Sequence, residues 1–73
     1  MVSNIKQALQ QAVSVHKEGK LQDAKSIYQA ILLTHPLQPD ANHNLGIIAV
    51  SFNKFSDALP LFETALKSDP KIE

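Results

Sequence analysis

Three histidines, His16, His35 and His43, are the side chains of this 73-residue sequence with the greatest capacity for chemistry. Each could serve in acid–base catalysis or bind a metal, because an imidazole titrates near neutral pH and is a common metal ligand. The sequence contains no cysteine, which excludes a thiolate nucleophile, a disulfide framework and Cys-ligated zinc. A metal or catalytic site would therefore have to combine these histidines with carboxylates.

The carboxylates form no pair suited to catalysis. Asp23 and Asp57 fall at the starts of predicted helices, where stabilisation of the helix dipole explains them. Asp40 has a similar position, although it could also contact a ligand. No Ser or Thr has a His and an acid at triad-like positions, and no Gly-rich loop could hold a phosphate. We therefore predict no catalytic residues, no enzyme activity, no metal and no cofactor.

The charge balance bears on which partners to expect. Seven lysines offset seven acidic residues, and there is no arginine. Such a chain lacks the basic surface that nucleic acids and anionic membranes require, so neither is an expected partner. Residues 1–11 contain no apolar run typical of a signal peptide. No apolar segment approaches the roughly 20 residues that cross a membrane. These features predict a soluble protein and favour the cytoplasm.

The clearest pattern is an internal repeat. Shifting the sequence against itself by 34 positions (58 minus 24) superposes five identical pairs. These pairs are Lys20 and Lys54, Asp23 and Asp57, Ala24 and Ala58, Leu32 and Leu66, and Pro36 and Pro70. The same shift places Gly19 on Asn53. Glycine and asparagine are the residue types that best tolerate the left-handed conformation in which many helices end. A period of this length is typical of stacked helical hairpins.

The first copy predicts two helices. Apolar residues at helical spacing form the first stripe: Ile5, Ala8, Leu9, Ala12 and Val13. Asn4 and Gln7 can form a capping box at its start, and Gly19 ends it. A second stripe ends before Pro36 and consists of Leu21, Ala24, Tyr28, Ile31 and Leu32.

The second copy predicts another two helices. Pro39 suits the first turn of a helix that runs to about Phe52, after which Asn53 turns the chain. Ser56 is the predicted N-cap of the last helix. Counted from Ser56, Pro60 falls at the end of the first turn, where its missing N–H costs little. The apolar face of this helix contains Phe55, Ala58, Phe62, Ala65 and Leu66.

These residues resemble the tetratricopeptide repeat. The resemblance rests on the 34-residue period and on Leu45-Gly46, Ala58, Phe62, Ala65-Leu66 and Asp69-Pro70. It implies an all-α fold of two antiparallel helix hairpins, stacked as a right-handed superhelix. A single domain would cover residues 1–73, with repeats at about 5–38 and 39–72. Small residues would let the paired helices touch, with Ala12 against Ala24 and Gly46 against Ala58.

The resemblance also implies that the first helix of each hairpin lines a concave groove for a protein or peptide. The corresponding groove residues are Lys6, Leu9, Val13, His16, Lys17, Asp40, His43, Asn44, Ile47, Val50 and Ser51. One subclass of the family clamps a C-terminal carboxylate with Lys and Asn. Leu9 and Val13 stand at two of those positions, so this clamp is not expected here.

The implied fold also bears on the histidines. It places His35 in the connection between hairpins and turns His16 and His43 toward the groove. Seven positions at about 1.5 Å per residue, on axes roughly 9 Å apart, separate the latter two by about 14 Å. A zinc ion needs its histidine nitrogens about 2 Å away, so these two cannot share one.

We therefore predict a protein-interaction module with a partly apolar groove, into which Ile47 and Val50 point together with Leu9 and Val13. The other apolar residues of the Leu45–Phe52 run would be buried, because they belong to the middle helix. Two alternatives stay open. The chain could be a self-association element of a longer repeat array, or the N-terminal segment of a larger bacterial enzyme such as a glycosyl- or sulfotransferase.

The repeat count also predicts where apolar surface stays open. Two repeats of 34 residues bring the chain to a repeat boundary, so no further hairpin would cover the last one. Apolar side chains around Phe52, Leu59, Leu66 and Ile72 are therefore expected to remain partly uncovered. Such surface favours association end to end or by exchange of halves, with a symmetric homodimer as the expected form.

Overall fold

A computed structural model describes residues 4–69, which form four α-helices joined by short connections. The helices are α1 (Ile5–Lys17), α2 (Leu21–Thr34), α3 (Pro39–Ser51) and α4 (Phe55–Ser68). Each helix packs on the next in chain order. The connections at residues 18–20 and 52–54 are too short for anything but a reversal of direction, so each copy of the repeat is a helical hairpin. The predicted all-α pair of hairpins is confirmed.

The first helix of each hairpin ends in the same way. Gly19 has a φ of +83° and Asn53 a φ of +61°. At α1 the Lys20 amide donates to the Val15 carbonyl at 3.0 Å, and at α3 the Lys54 amide donates to the Ala49 carbonyl at 2.8 Å. This six-residue closure satisfies carbonyls that the helix end would otherwise leave unpaired. The two left-handed positions lie where the sequence predicts them.

The starts of α1 and α3 are held by amide side chains. The Asn4 Oδ1 accepts a hydrogen bond from the Gln7 backbone amide at 3.0 Å, which is one of the two bonds of the predicted capping box. At α3 the Gln38 Oε1 accepts from the Ala41 amide at 2.7 Å, and Pro39 occupies the first helical position. Both side chains satisfy amides that have no partner within the helix.

The start of α4 differs from the prediction. The helix begins at Phe55 with Lys54 as its N-cap, so Ser56 lies inside the first turn and is not the cap. The closure at Lys54 explains this, because it brings the chain to the next helix two residues earlier. Pro60 consequently lies inside the helix, beyond the first turn. The Ser56 carbonyl therefore cannot receive the usual amide hydrogen bond four residues on.

The core lies where the first three helices meet. It consists of the buried residues Ala12, Ala24, Tyr28, Ile31, Ala41, Leu45 and Ile48. The middle helix α3 is the most buried, as its apolar run predicts. Most of the hydrophobic stabilisation of the fold must therefore come from α3 and the faces it covers. Phe52, which follows it, is 38% exposed, so its predicted burial with α3 is wrong. Its exposure agrees instead with the expected open apolar set, of which Leu59 and Leu66 are also exposed.

Gly46 allows α3 and α4 to approach closely. A methyl group at this position would lie 2.7 Å from Cε1 and 2.9 Å from Cδ1 of Phe62. The ring of Phe62 is therefore the nearest side chain to a methyl group at Gly46. The predicted close approach of α3 and α4 at Gly46 is present, and the sequence patterns did not indicate the Phe62 ring as its nearest neighbour.

Candidate functional site

An open depression of about 620 Å³ lies between α1 and α3. Its lining residues are Lys6, Leu9, Gln10, Val13, Ser14, Lys17, Asp40 and Asn44. Six of these eight belong to the predicted groove. Gln10 and Ser14 do not, although they follow Lys6 by four and eight residues, which places them near it on α1. We call this depression the α1–α3 groove.

The groove combines an apolar floor with a charged rim. Leu9 and Val13 are half-buried, and both are α1 residues. Lys6, Lys17 and Asp40 are exposed, which gives the rim a net charge of +1 (two lysines, one aspartate). Within residues 4–69 none of these three side chains takes part in an ion pair. Their charges are therefore available to a partner.

Asn44 connects the groove to the core. Its Nδ2 donates a hydrogen bond to the hydroxyl oxygen of Tyr28 at 3.1 Å, and the Tyr28 side chain is fully buried. Burial raises the pKa of Tyr28 above its ordinary 10.0; the hydrogen bond from Asn44 opposes this shift and the Asp40 carboxylate adds to it. Asn44 thus holds α3 against α2 as well as lining the groove.

His16 and His43 each pack against an aromatic ring of their own hairpin. The His16 ring meets that of Tyr28 edge-on, with centroids 6.5 Å apart, and the His43 ring lies 5.6 Å from that of Phe62. Both histidines are half-buried, and neither lines the groove. His35 lies between the hairpins, with its Nδ1 2.8 Å from the Thr34 hydroxyl. In the described part of the chain, no three His, Asp or Glu side chains are grouped as metal ligands.

The remaining predicted groove residues lie further along α3. Ile47, Val50 and Ser51 are exposed, outside the set that lines the groove. The Ser51 hydroxyl donates to the Ile47 carbonyl at 3.1 Å, so it is engaged with its own helix. The structure thus gathers six predicted residues around one depression and leaves five outside it.

A second depression, of about 360 Å³, lies between α2, α3 and α4. It is lined by Lys25, Gln29, Leu45, Ile48, Ala49, Phe52, Lys54, Asp57, Pro60 and Leu61. It is smaller than the α1–α3 groove and lies where α2 of the first hairpin packs against the second hairpin. The sequence patterns do not indicate it, because it depends on the spacing between α2 and α4.

Two helical hairpins with an open groove between their first helices define a helical-repeat module. The family model described as tetratricopeptide repeat matches residues 15–73, which is more than half of the chain, and the chain belongs to this family. Its repeats generally act as non-catalytic modules for protein interaction or scaffolding. A search of curated proteins returned no match. No helix within residues 4–69 has the length and apolar character needed to cross a membrane.

Proposed function

We propose that the α1–α3 groove binds a short extended segment of a partner protein. The observation that carries this proposal is the apolar floor of Leu9 and Val13 between charges that have no partner in residues 4–69. A floor of this kind suits an apolar side chain, and the rim suits polar or charged neighbours of that side chain.

The dimensions of α1 set the length of the segment. Lys6 and Lys17 are eleven positions apart (17 minus 6), which corresponds to about 16 Å along a helix. An extended chain advances about 3.3 Å per residue, so about five residues span this distance. We expect one or two large apolar side chains at the centre of the segment and an acidic residue toward either end.

Apolar contacts should dominate the affinity. Burying one large apolar side chain contributes about 1.5–3 kcal/mol, whereas an exposed ion pair contributes about 0–1 kcal/mol. Lys6, Lys17 and Asp40 are all exposed. These charges should therefore select the orientation of the segment and add little to its affinity.

A displayed library of hexapeptides, with varied apolar centres and varied flanks, provides the test. We expect selection of central Leu, Ile or Phe with an acidic flank. Calorimetry on a selected peptide should show at least tenfold weaker binding to Val13→Glu, and only about two- to threefold weaker binding to Lys17→Ala. Leu33→Glu is the matched control, because Leu33 is exposed on α2 outside the groove.

Salt provides a second readout. Raising the salt concentration from about 50 to about 200 mM should change the affinity by less than about threefold, since apolar contacts are not screened. A collapse of binding over this range would contradict apolar anchoring. Equal losses for Val13→Glu and Leu33→Glu would contradict the location of the site.

A further inference from the structure

The outer side of α4 carries an uncovered apolar stripe. Phe55, Leu59 and Leu66 are 61%, 60% and 51% exposed. At 100° per residue the three lie within about 40° of one another, on the side of α4 next to the buried face of Ala58 and Ala65. We call Phe55, Leu59 and Leu66 the α4 stripe. An apolar stripe of this kind on a small protein indicates a contact surface.

The repeat itself shows what such a stripe is suited to meet. A shift of 34 positions places the α4 stripe on Leu21, Lys25 and Leu32 of α2. These three residues are half-buried, and α2 is the helix that α3 covers. The corresponding side of α4 has no helix against it in residues 4–69. The α4 stripe is therefore suited to contact with another helix.

The α1 helix of a second copy is poorly suited to supply that contact. Within one chain, α3 is the helix that packs on α2, and it contributes the buried residues Ala41, Leu45 and Ile48. In a head-to-tail stack of two copies, α1 of the second copy would take the place of α3. The same 34-residue shift places these buried residues on three exposed polar residues of α1: Gln7, Gln11 and Ser14. Packing this face on the α4 stripe would bury amide and hydroxyl groups against hydrocarbon, at a cost of about 1–3 kcal/mol for each group left unsatisfied. Head-to-tail stacking of copies is thus disfavoured.

We propose that two copies associate tail to tail, with α4 packed antiparallel on the partner's α4 about a twofold axis. Overlap of the two stripes is greatest when the axis passes between residues 60 and 61. In that register, facing residues have numbers that add up to 121 (60 plus 61). Phe55 therefore meets the partner's Leu66, and Leu59 meets the partner's Phe62. The contact is the same surface on both copies, so assembly closes at two chains. This proposal is independent of peptide binding in the α1–α3 groove.

The dimer should be weak. Three or four large side chains per copy bury less than the roughly 1,200 Å² that specific stable interfaces reach. We therefore expect a dissociation constant between about 10 µM and about 1 mM. Ile72, the fourth residue of the predicted open apolar set, lies outside the described residues.

Sedimentation equilibrium of the full chain over about 10 µM to about 1 mM tests the proposal. The average mass should rise to twice the monomer mass and no further. Leu59→Glu should weaken dimerisation at least tenfold. Leu33→Glu introduces the same charge at a leucine that is 85% exposed on α2, and should have no effect. Gln11→Lys on the outer face of α1 should also have no effect.

A second measurement does not depend on how a charge affects folding. The chain has no cysteine, so Leu59→Cys introduces a single thiol. Mild oxidation should link two copies of Leu59→Cys and leave Gln11→Cys largely monomeric. A monomer at all concentrations, masses beyond two chains, loss of association in Gln11→Lys, or equal cross-linking of both cysteine variants would each overturn the proposal.

Discussion

Gly46 is the residue whose size most tightly limits the packing of α3 on α4. Alanine within a helix is normally favoured over glycine by about 1 kcal/mol. Here its methyl group would lie 2.7 Å from Phe62 Cε1, and overpacking typically costs about 1–3 kcal/mol. The steric cost equals or exceeds the helical gain, so Gly46→Ala should lower the free energy of unfolding by up to about 2 kcal/mol in a urea titration.

A double-mutant cycle isolates the cause. In a Phe62→Leu background the ring is absent, and Gly46→Ala should then be neutral or stabilising. The coupling between the two substitutions should be about 1 kcal/mol or more. Stabilisation of the otherwise wild-type protein by Gly46→Ala would show that the ring moves aside at little cost.

Tyr28 should make stability depend on pH in the alkaline range. Burial raises the pKa of Tyr28 above 10.0, so the folded state favours the protonated phenol. The unfolded chain loses this proton first as the pH rises, and from there it binds fewer protons than the folded chain. The stabilisation is therefore fully present below pH 10 and is lost as the pH rises through the folded pKa.

The sequence makes this titration simple to observe. Tyr28 is the only tyrosine and there is no tryptophan, so phenolate absorbance reports this residue alone. The midpoint in the folded protein should lie above that in denaturant, and Asn44→Ala should move it higher by removing a hydrogen bond that opposes the shift. Tyr28→Phe should reduce the loss of stability above pH 10 relative to the wild-type protein. Equal folded and unfolded midpoints would contradict the burial of this ring.

At the scale of the helix, Pro60 should weaken α4. It removes the amide that would bond to the Ser56 carbonyl, and its ring crowds that carbonyl. Both residues are exposed, so water can satisfy the carbonyl and reduce the penalty. We expect Pro60→Ala to raise the free energy of unfolding by about 1–3 kcal/mol, measured by denaturant titration.

The repeat supplies a matched control for this prediction. Ser26 is the residue of α2 that corresponds to Pro60 (60 minus 34), and it too is exposed. Ser26→Ala tests the gain from alanine alone, which should be about 0.5 kcal/mol. If the two substitutions stabilised the protein equally, Pro60 would not strain α4.

The connection between the hairpins depends on one buried polar side chain. Asn42 Nδ2 donates to the Pro36 carbonyl at 3.0 Å and to the Gln38 carbonyl at 2.9 Å. These bonds tie the connection at residues 35–38 to the second turn of α3. They help to fix the orientation of α3 relative to α2, and the shape of the α1–α3 groove depends on that orientation.

The molecule as a whole presents two different ends. The outer face of α1 is polar at Gln7 and Gln11, and Ser14 lies between this face and the groove. The outer face of α4, in contrast, is apolar at its stripe. A chain of this length buries only about 60% of the surface that it exposes when unfolded, so its stability should be small. Anything that binds only the folded state, in the groove or on the α4 stripe, therefore stabilises it by mass action.

Much of the fold follows from local features that the sequence contains. The helix ends at Gly19 and Asn53 and the cap at Asn4 depend on residues within one turn of each other, and all three are confirmed. The buried faces also follow from spacing, because helical periodicity decides which residues share a side. The start of α4 lies two residues before its prediction, because the closure at Lys54 begins the helix ahead of Ser56, although serine is a favourable cap residue.

Other properties depend on how the helices are placed relative to one another, and the tertiary structure alone decided them. The bond between Asn44 and Tyr28 joins residues sixteen positions apart, and the ring facing Gly46 lies on another helix. The groove gathers only six of the eleven predicted residues, because the α1–α3 geometry leaves the far end of α3 outside it. Periodicity identifies the side of a helix on which a residue lies. The distance to the next helix, and hence which faces remain open, is set by the packing of all four.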